Sequence, residues 1–328
     1  MPRLRLSTLS RTAALAVAGA LLAAGCGGAS SSDEDSGRPA GSPAAELPPV
    51  KPVAQADRVT DVRGVEVAPE RTPKRIVCLV ALCDDILTEL GMVPTATNSE
   101  ILAHPDFLGE EKAADVPVIP GGFIAPEVEA ILSHEPDLVI GLEDTHGKLA
   151  PALKGATTFW PVQPKDWQDS VSYLRDLAAL TGRGERAVAA EKRFRGKLER
   201  AQESRSDKTA LVIFGSDANF GVAAPGRDTA AGLFPQIAEY PWQDRGVEGT
   251  YSLEEILARD VDVLFVETIA FDDTDVKLSE TMADNPLWAR IPAVRNDKVI
   301  EVDPEVWAKG RGTRSLGIVL DEATAALR

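Results

Sequence analysis

A twelve-residue pattern occurs twice in this chain, 125 residues apart. Glu129 and Glu254 each stand at the start of a short helical segment, and the pairs Ile131-Leu132 and Ile256-Leu257 follow. Asp137 and Asp262, each eight residues after its Glu, then open an apolar strand. A helix–strand unit repeated at this distance predicts two similar halves rather than one continuous core.

The chain between and around the two copies fits that division. Segment 75–80 reads as a strand, Asp84 and Asp85 as acids capping and charging the start of a helix that runs to Leu90, and Gly91 as its stop. Further strands are expected at 116–119, 137–140 and 157–160, with a short helix over 126–133. After Asp137 the segment is a continuous apolar run to Ile140, as a strand covered on both faces should be. Trp167, Val171, Leu174 and Leu177 have helical spacing. After the break at Thr181-Gly182 comes a proline-free, highly charged stretch, 185–205, with a thin apolar stripe of Val188, Phe194, Leu198 and Ala201. About 20 helical residues span ~30 Å, and a largely polar helix of that length suits a bridge between domains. Beyond it the alternation restarts, with strands at 210–214, 261–266 and 298–302 and helices at 230–239, 252–258 and 313–327. The expected fold is α/β: two Rossmann-like lobes, 58–182 and 207–328, joined by one interdomain helix over 183–206. Ligands of such sheets lie outside the carboxyl ends of the strands, so the ligand cleft is expected between the lobes.

The N-terminus carries Arg3, Arg5 and Arg11, an apolar run over 13–24, and then Ala24-Gly25-Cys26. This is the layout of an export signal over 1–25, too short to span a bilayer comfortably. Cys26 directly after Ala-Gly resembles a lipidation site, although Ala23 stands where that motif more often has Leu. The other reading is a plain secretory signal with an incidental Cys. Residues 26–57, rich in Gly, Ser, Pro, Ala and Asp, read as a disordered tether. The remaining thiols, Cys78 and Cys83, could bridge in an oxidising compartment if a turn brings them together, or could stay as two buried thiols. Two Cys alone do not make a metal site.

Composition and missing motifs narrow the function. A net charge of −16 speaks against a nucleic-acid partner. The chain has no G-x-x-x-x-G-K-[ST], no G-x-S-x-G and no G-x-G-x-x-G, so it lacks the signatures of an ATPase, a serine hydrolase and a dinucleotide enzyme. No enzyme activity and no resident cofactor are expected.

Taken in order, several segments resemble the periplasmic-type substrate-binding proteins of ABC importers for ferric siderophores, haem and cobalamin. They are Arg75-Ile76-Val77-Cys78-Leu79 before a helix, the stretch from Glu129 to Ile140, Leu180-Thr181-Gly182 before the long helix, Ser252-Leu253-Glu254, and Val302-Asp303 with Trp307 before the last helix. The resemblance implies a monomer, lipid-anchored on the extracytoplasmic face of the bacterial membrane. It would carry a ferric siderophore, by its acidic composition of hydroxamate type, to a permease dimer and its ATPase subunits. In the family one exposed Glu per lobe docks on the permease, which carries over to Glu129 and Glu254. Ligand contacts are expected from Trp160 and Trp307, at positions that face the cleft in the family, and from the loop residues Phe123, His146, Phe220, Trp242, Phe271 and Arg311. Haem stays open as the ligand, with His146 and Tyr240 or Tyr251 as candidate axial groups.

Overall fold

A computed structural model describes residues 47–216, 220–242, 252–269 and 276–328. Cys26, Tyr251 and Phe271 lie outside the described residues.

The first lobe opens with an antiparallel pair, β1 (Val59–Thr60) and β2 (Glu66–Val67). There follow β3 (Ile76–Cys78), α1 (Ala81–Glu89), β4 (Ala96–Thr97), α2 (Glu110–Ala113), α3 (Val128–Ser133) and β5 (Leu138–Leu142). Then come α4 (Glu143–His146), α5 (Ala150–Leu153), β6 (Thr158–Val162) and α6 (Trp167–Thr181). The connecting helix is α7 (Gly184–Glu203). The second lobe runs β7 (Ala210–Gly215), β8 (Gly221–Val222), α8 (Phe234–Ile237), α9 (Leu253–Leu257), β9 (Val263–Thr268), α10 (Leu278–Met282), α11 (Pro292–Arg295) and β10 (Val299–Val302). A π-helical turn, Glu305–Gly310, leads into α12 (Thr313–Ala326).

The repeat seen in the sequence is a repeat of topology. The first sheet is ordered β4-β3-β5-β6 and the second β8-β7-β9-β10, so both read 2-1-3-4 in their own lobe. All pairings are parallel except β7 with β8. Glu135 and Asp260, again 125 residues apart, both hold left-handed backbone, with φ of 45° and 47°. The repeated Asp does the same job in each lobe. Asp137 accepts the amides of Lys74 and Arg75, each at 2.9 Å, and Asp262 accepts the amide of Thr209 at 2.8 Å. Each thereby ties the start of its own strand to the start of the neighbouring one. Burial alone would raise the Asp137 carboxyl, but the amides of Arg75 and Lys74 and the Arg71 guanidinium hold it below its ordinary value.

Apolar strands are buried on both faces. Ile76, Cys78, Leu138 and Ile140 pack on one side of the first sheet, and Val77, Leu79 and Val139 on the other. In the second sheet Val212, Val263 and Phe265 face α7 and α12, and Leu211, Ile213, Leu264 and Val266 face the opposite side. The side of α7 that packs inward carries Ala187, Ala190, Phe194, Leu198 and Ala201, with Val188 only partly buried.

Four expectations are corrected. Asp84 and Asp85 do not cap α1: its N-cap is Val80, without a side-chain cap, and both acids are buried within the helix. Segment 116–119 contributes only a single bridge, Thr97 to Val118. Segment 230–239 is a 3-10 turn, Ala231–Leu233, followed by the short α8, whose first turn holds Pro235, a residue with no amide to donate to a preceding turn. Finally, residues 47–57 are not a free tether. The Pro48 carbonyl accepts from Arg195, those of Lys51 and Pro52 accept from Arg175, and the Ala56 amide donates to Ala179. Leu47 and Val53 add apolar contacts to the cores of the second and first lobes. Polar composition hid this, because the attachment runs through backbone carbonyls that any sequence would offer. Glu191, 2% exposed, holds Arg175 and Arg195 in place at 2.7 and 2.5 Å.

Candidate functional site

The crossover geometry puts the carboxyl ends of β3, β5, β7 and β9 on the edge where the lobes meet. That contact is made by α1, α6 and the turn Ile101–Ala103 from the first lobe, and by the π-turn and α12 from the second. Asp85 accepts the backbone amides of Arg314 and Ser315 at 3.1 and 2.8 Å and the Ser315 hydroxyl at 2.6 Å. It supplies, from the other lobe, the cap that Gly312 cannot give to α12. Gly312 must be small here, since a Cβ on it would lie 2.2 Å from the Asp85 carboxyl. Ser170 of α6 donates to the Arg311 carbonyl at 2.6 Å, and Glu89 pairs with Arg193 and with Arg314.

The seam is rich in buried acid. Burial pushes the Asp84 carboxyl up to about 8, opposed by hydrogen bonds from Ser99 and Thr97 and helped by the negative charges of Asp85 and Glu305. Burial likewise pushes Asp85 up to about 7, with Ser315 opposing and Glu89 helping. Asp84 Oδ1 and Glu305 Oε2 are both buried without a hydrogen-bond partner. The Cys78–Cys83 disulfide, with Cα atoms 5.4 Å apart, ties the end of β3 to α1 next to this seam.

Of the seven exposed large apolar side chains among the described residues, Val62 lies in the β1–β2 turn and Val93 before β4, and the other five follow strands toward this edge. Val118, Phe123 and Ile124 lie in the loops after β4, Phe214 near the end of β7, and Val276 in the connection after β9. Apolar side chains clustered at the carboxyl edges of two sheets suit contact with a guest. A surface hollow of about 670 Å³ lined by Arg71, Lys74, Arg75 and Asp137 lies at the opposite, amino edge of the first sheet.

The residues expected to touch ligand divide. Phe123 is exposed at the edge, with its ring edge-on to His146 at 5.0 Å. Arg311 is partly exposed and strained, with φ of 59°. Trp160, Trp307 and Trp242 sit in the cores, each at most 2% exposed, rather than on the cleft. Trp160 donates to Asp61 at 3.0 Å and Trp307 to Glu322 at 2.7 Å, while the Arg259 guanidinium lies over the Trp242 ring at 4.4 Å. Phe220 packs in the core of the second lobe. His146 is fully buried. Its Nδ1 accepts the Leu142 amide at 2.9 Å, which makes Nε2 the protonated nitrogen, donating to the Phe123 carbonyl at 2.7 Å. Burial lowers its pKa, so it is a neutral latch that holds the Phe123 loop, with no ring nitrogen left for an iron. The Tyr240 hydroxyl is likewise engaged, donating to Ala223.

Glu129 and Glu254 are both exposed in the first turns of α3 and α9, at matching places in the two lobes. Neither carboxylate has an ion pair among the described residues. Three functional-looking groups were not singled out from the sequence: Asp228, Glu267 and Phe214. The 125-residue repeat could have flagged Glu267, since it aligns with Leu142. Among the described residues no cluster of three or more His, Cys, Asp or Glu could hold a metal ion, and no helix is long and apolar enough to cross a membrane.

The family model described as "Periplasmic binding protein" matches residues 76–306. The chain is 26% identical over 285 residues to YhfQ of Bacillus subtilis (strain 168), named "Putative ABC transporter substrate-binding lipoprotein", covering 80% of this chain and 86% of that one. Among solved structures it is similar to the triscatecholate siderophore binding protein FeuA from Bacillus subtilis complexed with ferri-bacillibactin. The TM-score is 0.68 at 20% identity, over 83% of this chain and 98% of that one. SirA of Staphylococcus aureus, complexed with staphyloferrin B, superposes with a TM-score of 0.66 at 17% identity, over 83% and 98% of the two chains. With the family model covering most of both lobes and the connecting helix, the chain belongs to the periplasmic binding protein family, a family of binding proteins and not of enzymes.

Proposed function

We propose that this protein is the lipid-anchored receptor of an ABC importer, and that it binds a ferric siderophore, of hydroxamate type, between its lobes. The observation that carries the reading is the pair of like-ordered sheets whose carboxyl edges meet at one seam and carry five of the seven exposed large apolar side chains among the described residues. Such a surface suits a guest that is itself a finished metal chelate, needing apolar walls and a few polar contacts rather than metal ligands. The likeness to YhfQ, named a putative substrate-binding lipoprotein, and to FeuA, a siderophore binding protein, supports the same reading. Cys26 would carry the lipid, and two or more acyl chains give a stable anchor. Glu129 and Glu254, exposed and without ion pairs among the described residues, would meet cationic side chains of the permease.

The test is calorimetric titration of the full-length protein in detergent with a ferric trihydroxamate, a ferric triscatecholate, haem, cobalamin and free Zn²⁺. Saturable binding tightest for the trihydroxamate is expected. Tighter binding of free Zn²⁺, or none by any iron chelate, would overturn the assignment.

A further inference from the structure

Three local anomalies converge at the carboxyl edge of the second lobe. The first is Glu267, 1% exposed, with Oε1 buried and without a hydrogen-bond partner. The second is Arg311, a non-glycine residue in left-handed backbone at φ of 59°. The third is the π-helical turn Glu305–Gly310 that delivers it. Unpaired buried acids, strained backbone and π-turns each cost stability and collect at functional sites.

The groups form one electrostatic unit. Burial raises Glu267 well above its ordinary value, the Asp228 charge adds to that, and Arg311 opposes it. Arg311 closes no ion pair with either acid; its Nε donates to the Ala308 carbonyl instead. Asp228 spends one oxygen on the Ala231 amide at 2.7 Å. Beside it Thr229, 2% exposed, buries a hydroxyl without a partner. Two carboxylates thus feel the charge of one guanidinium that pairs with neither, beside an unused acceptor and an unused hydroxyl, and Asp228 and Arg311 are partly exposed.

Position and repeat both indicate a ligand. Glu267 is the second-last residue of β9, which pairs with β7, and the strand order reverses between these two. Ligands of α/β sheets sit outside the strand ends at such a switch point. In the first lobe the equivalent position, 125 residues earlier, is Leu142, buried and apolar. The fold therefore does not need an acid there.

We infer that Glu267, with Asp228 and Arg311, forms a subsite for a cationic hydrogen-bond donor on the ligand, a primary ammonium pendant from the chelate. An ammonium would donate to Glu267 Oε1 and balance that carboxylate, while Arg311 balances the charge of Asp228. This rests on the chelate-binding reading above and sharpens it to chelates that carry a free amine.

The test uses a linear ferric trihydroxamate with a free terminal amine and the same chelate N-acetylated, titrated into full-length protein and into Glu267→Gln and Glu267→Leu. Wild type should prefer the free amine by about tenfold or more, the worth of one charge-assisted hydrogen bond. Both variants should bind the two chelates alike. Glu267→Leu, which restores the pattern of the first lobe, should melt at a higher temperature than wild type, so loss of preference there is not loss of folding. Equal affinity of wild type for both chelates, or a preference that survives Glu267→Gln, overturns the subsite and leaves chelate binding intact. Binding of neither chelate overturns both.

Discussion

Asp85, on the first helix of one lobe, holds the start of the last helix of the other: the Ser315 amide and hydroxyl both donate to its Oδ2, at 2.8 and 2.6 Å. The cap that α12 lacks in its own sequence is thus provided from 230 residues away. Whatever moves one lobe relative to the other must strain or break this contact. Asp85→Ala should therefore destabilise the protein by about 2–4 kcal/mol, because it strands two amides and a hydroxyl in a buried seam. Gly312→Ala should cost about 1–3 kcal/mol by forcing a methyl into the Asp85 carboxyl. Urea unfolding measures both. Wild-type stability in either variant would mean the seam contributes nothing to folding.

Asp84 and Asp85 set a pH dependence with a definite sign. Their folded values, about 8 and about 7, lie above the unperturbed 3.8. Between about pH 4 and 8 the unfolded chain has already released protons that the folded chain still holds. Stability should fall as pH rises through that window and level off above it. The check is the urea midpoint at pH 5 and pH 8, in wild type and in Asp84→Asn. The variant should show the shallower fall, and equal falls would contradict the assignment.

Thiol counting tests the N-terminus and the disulfide together. The chain has three Cys. With Cys78–Cys83 bridged and Cys26 lipidated, the denatured mature protein should give no free thiol before reduction and two after. One free thiol before reduction would leave Cys26 unmodified. Replacing both bridged Cys by Ser should cost about 2 kcal/mol, small because the closed loop is short.

Charge reversal at Glu129 and Glu254 together should leave chelate affinity unchanged and abolish uptake into cells. Both side chains are exposed, so folding should be unaffected to within about 0.5 kcal/mol. Lost chelate binding in the double variant would place these residues in the ligand site instead.

The fold was readable because its signals are local or repeated. The apolar strand at Leu138–Leu142, the proline-free helix before β7, and the Glu–Asp spacing shared by the two lobes each survive without knowledge of neighbours. The site was harder to read, because a side chain's exposure depends on partners far away in the chain. Trp160 at a strand end looks like a cleft wall until Asp61, 99 residues earlier, is seen to hold its indole. Asp84 and Asp85 look like helix-start acids until Thr97 and Ser99 are seen to hold the first and Ser315 of the other lobe the second. Phe123 and Arg311 were visible as loop residues of the right type at strand ends. Glu267 was visible only through its alignment with Leu142.

Amide hydrogen exchange with and without a ferric trihydroxamate tests the central claim most directly. The account predicts protection in both lobes at once, over 98–102 and 120–125 in the first and over 214–216 and 305–311 in the second. Protection confined to one lobe, or placed at the amino edges near Arg71 and Asp137, would contradict it.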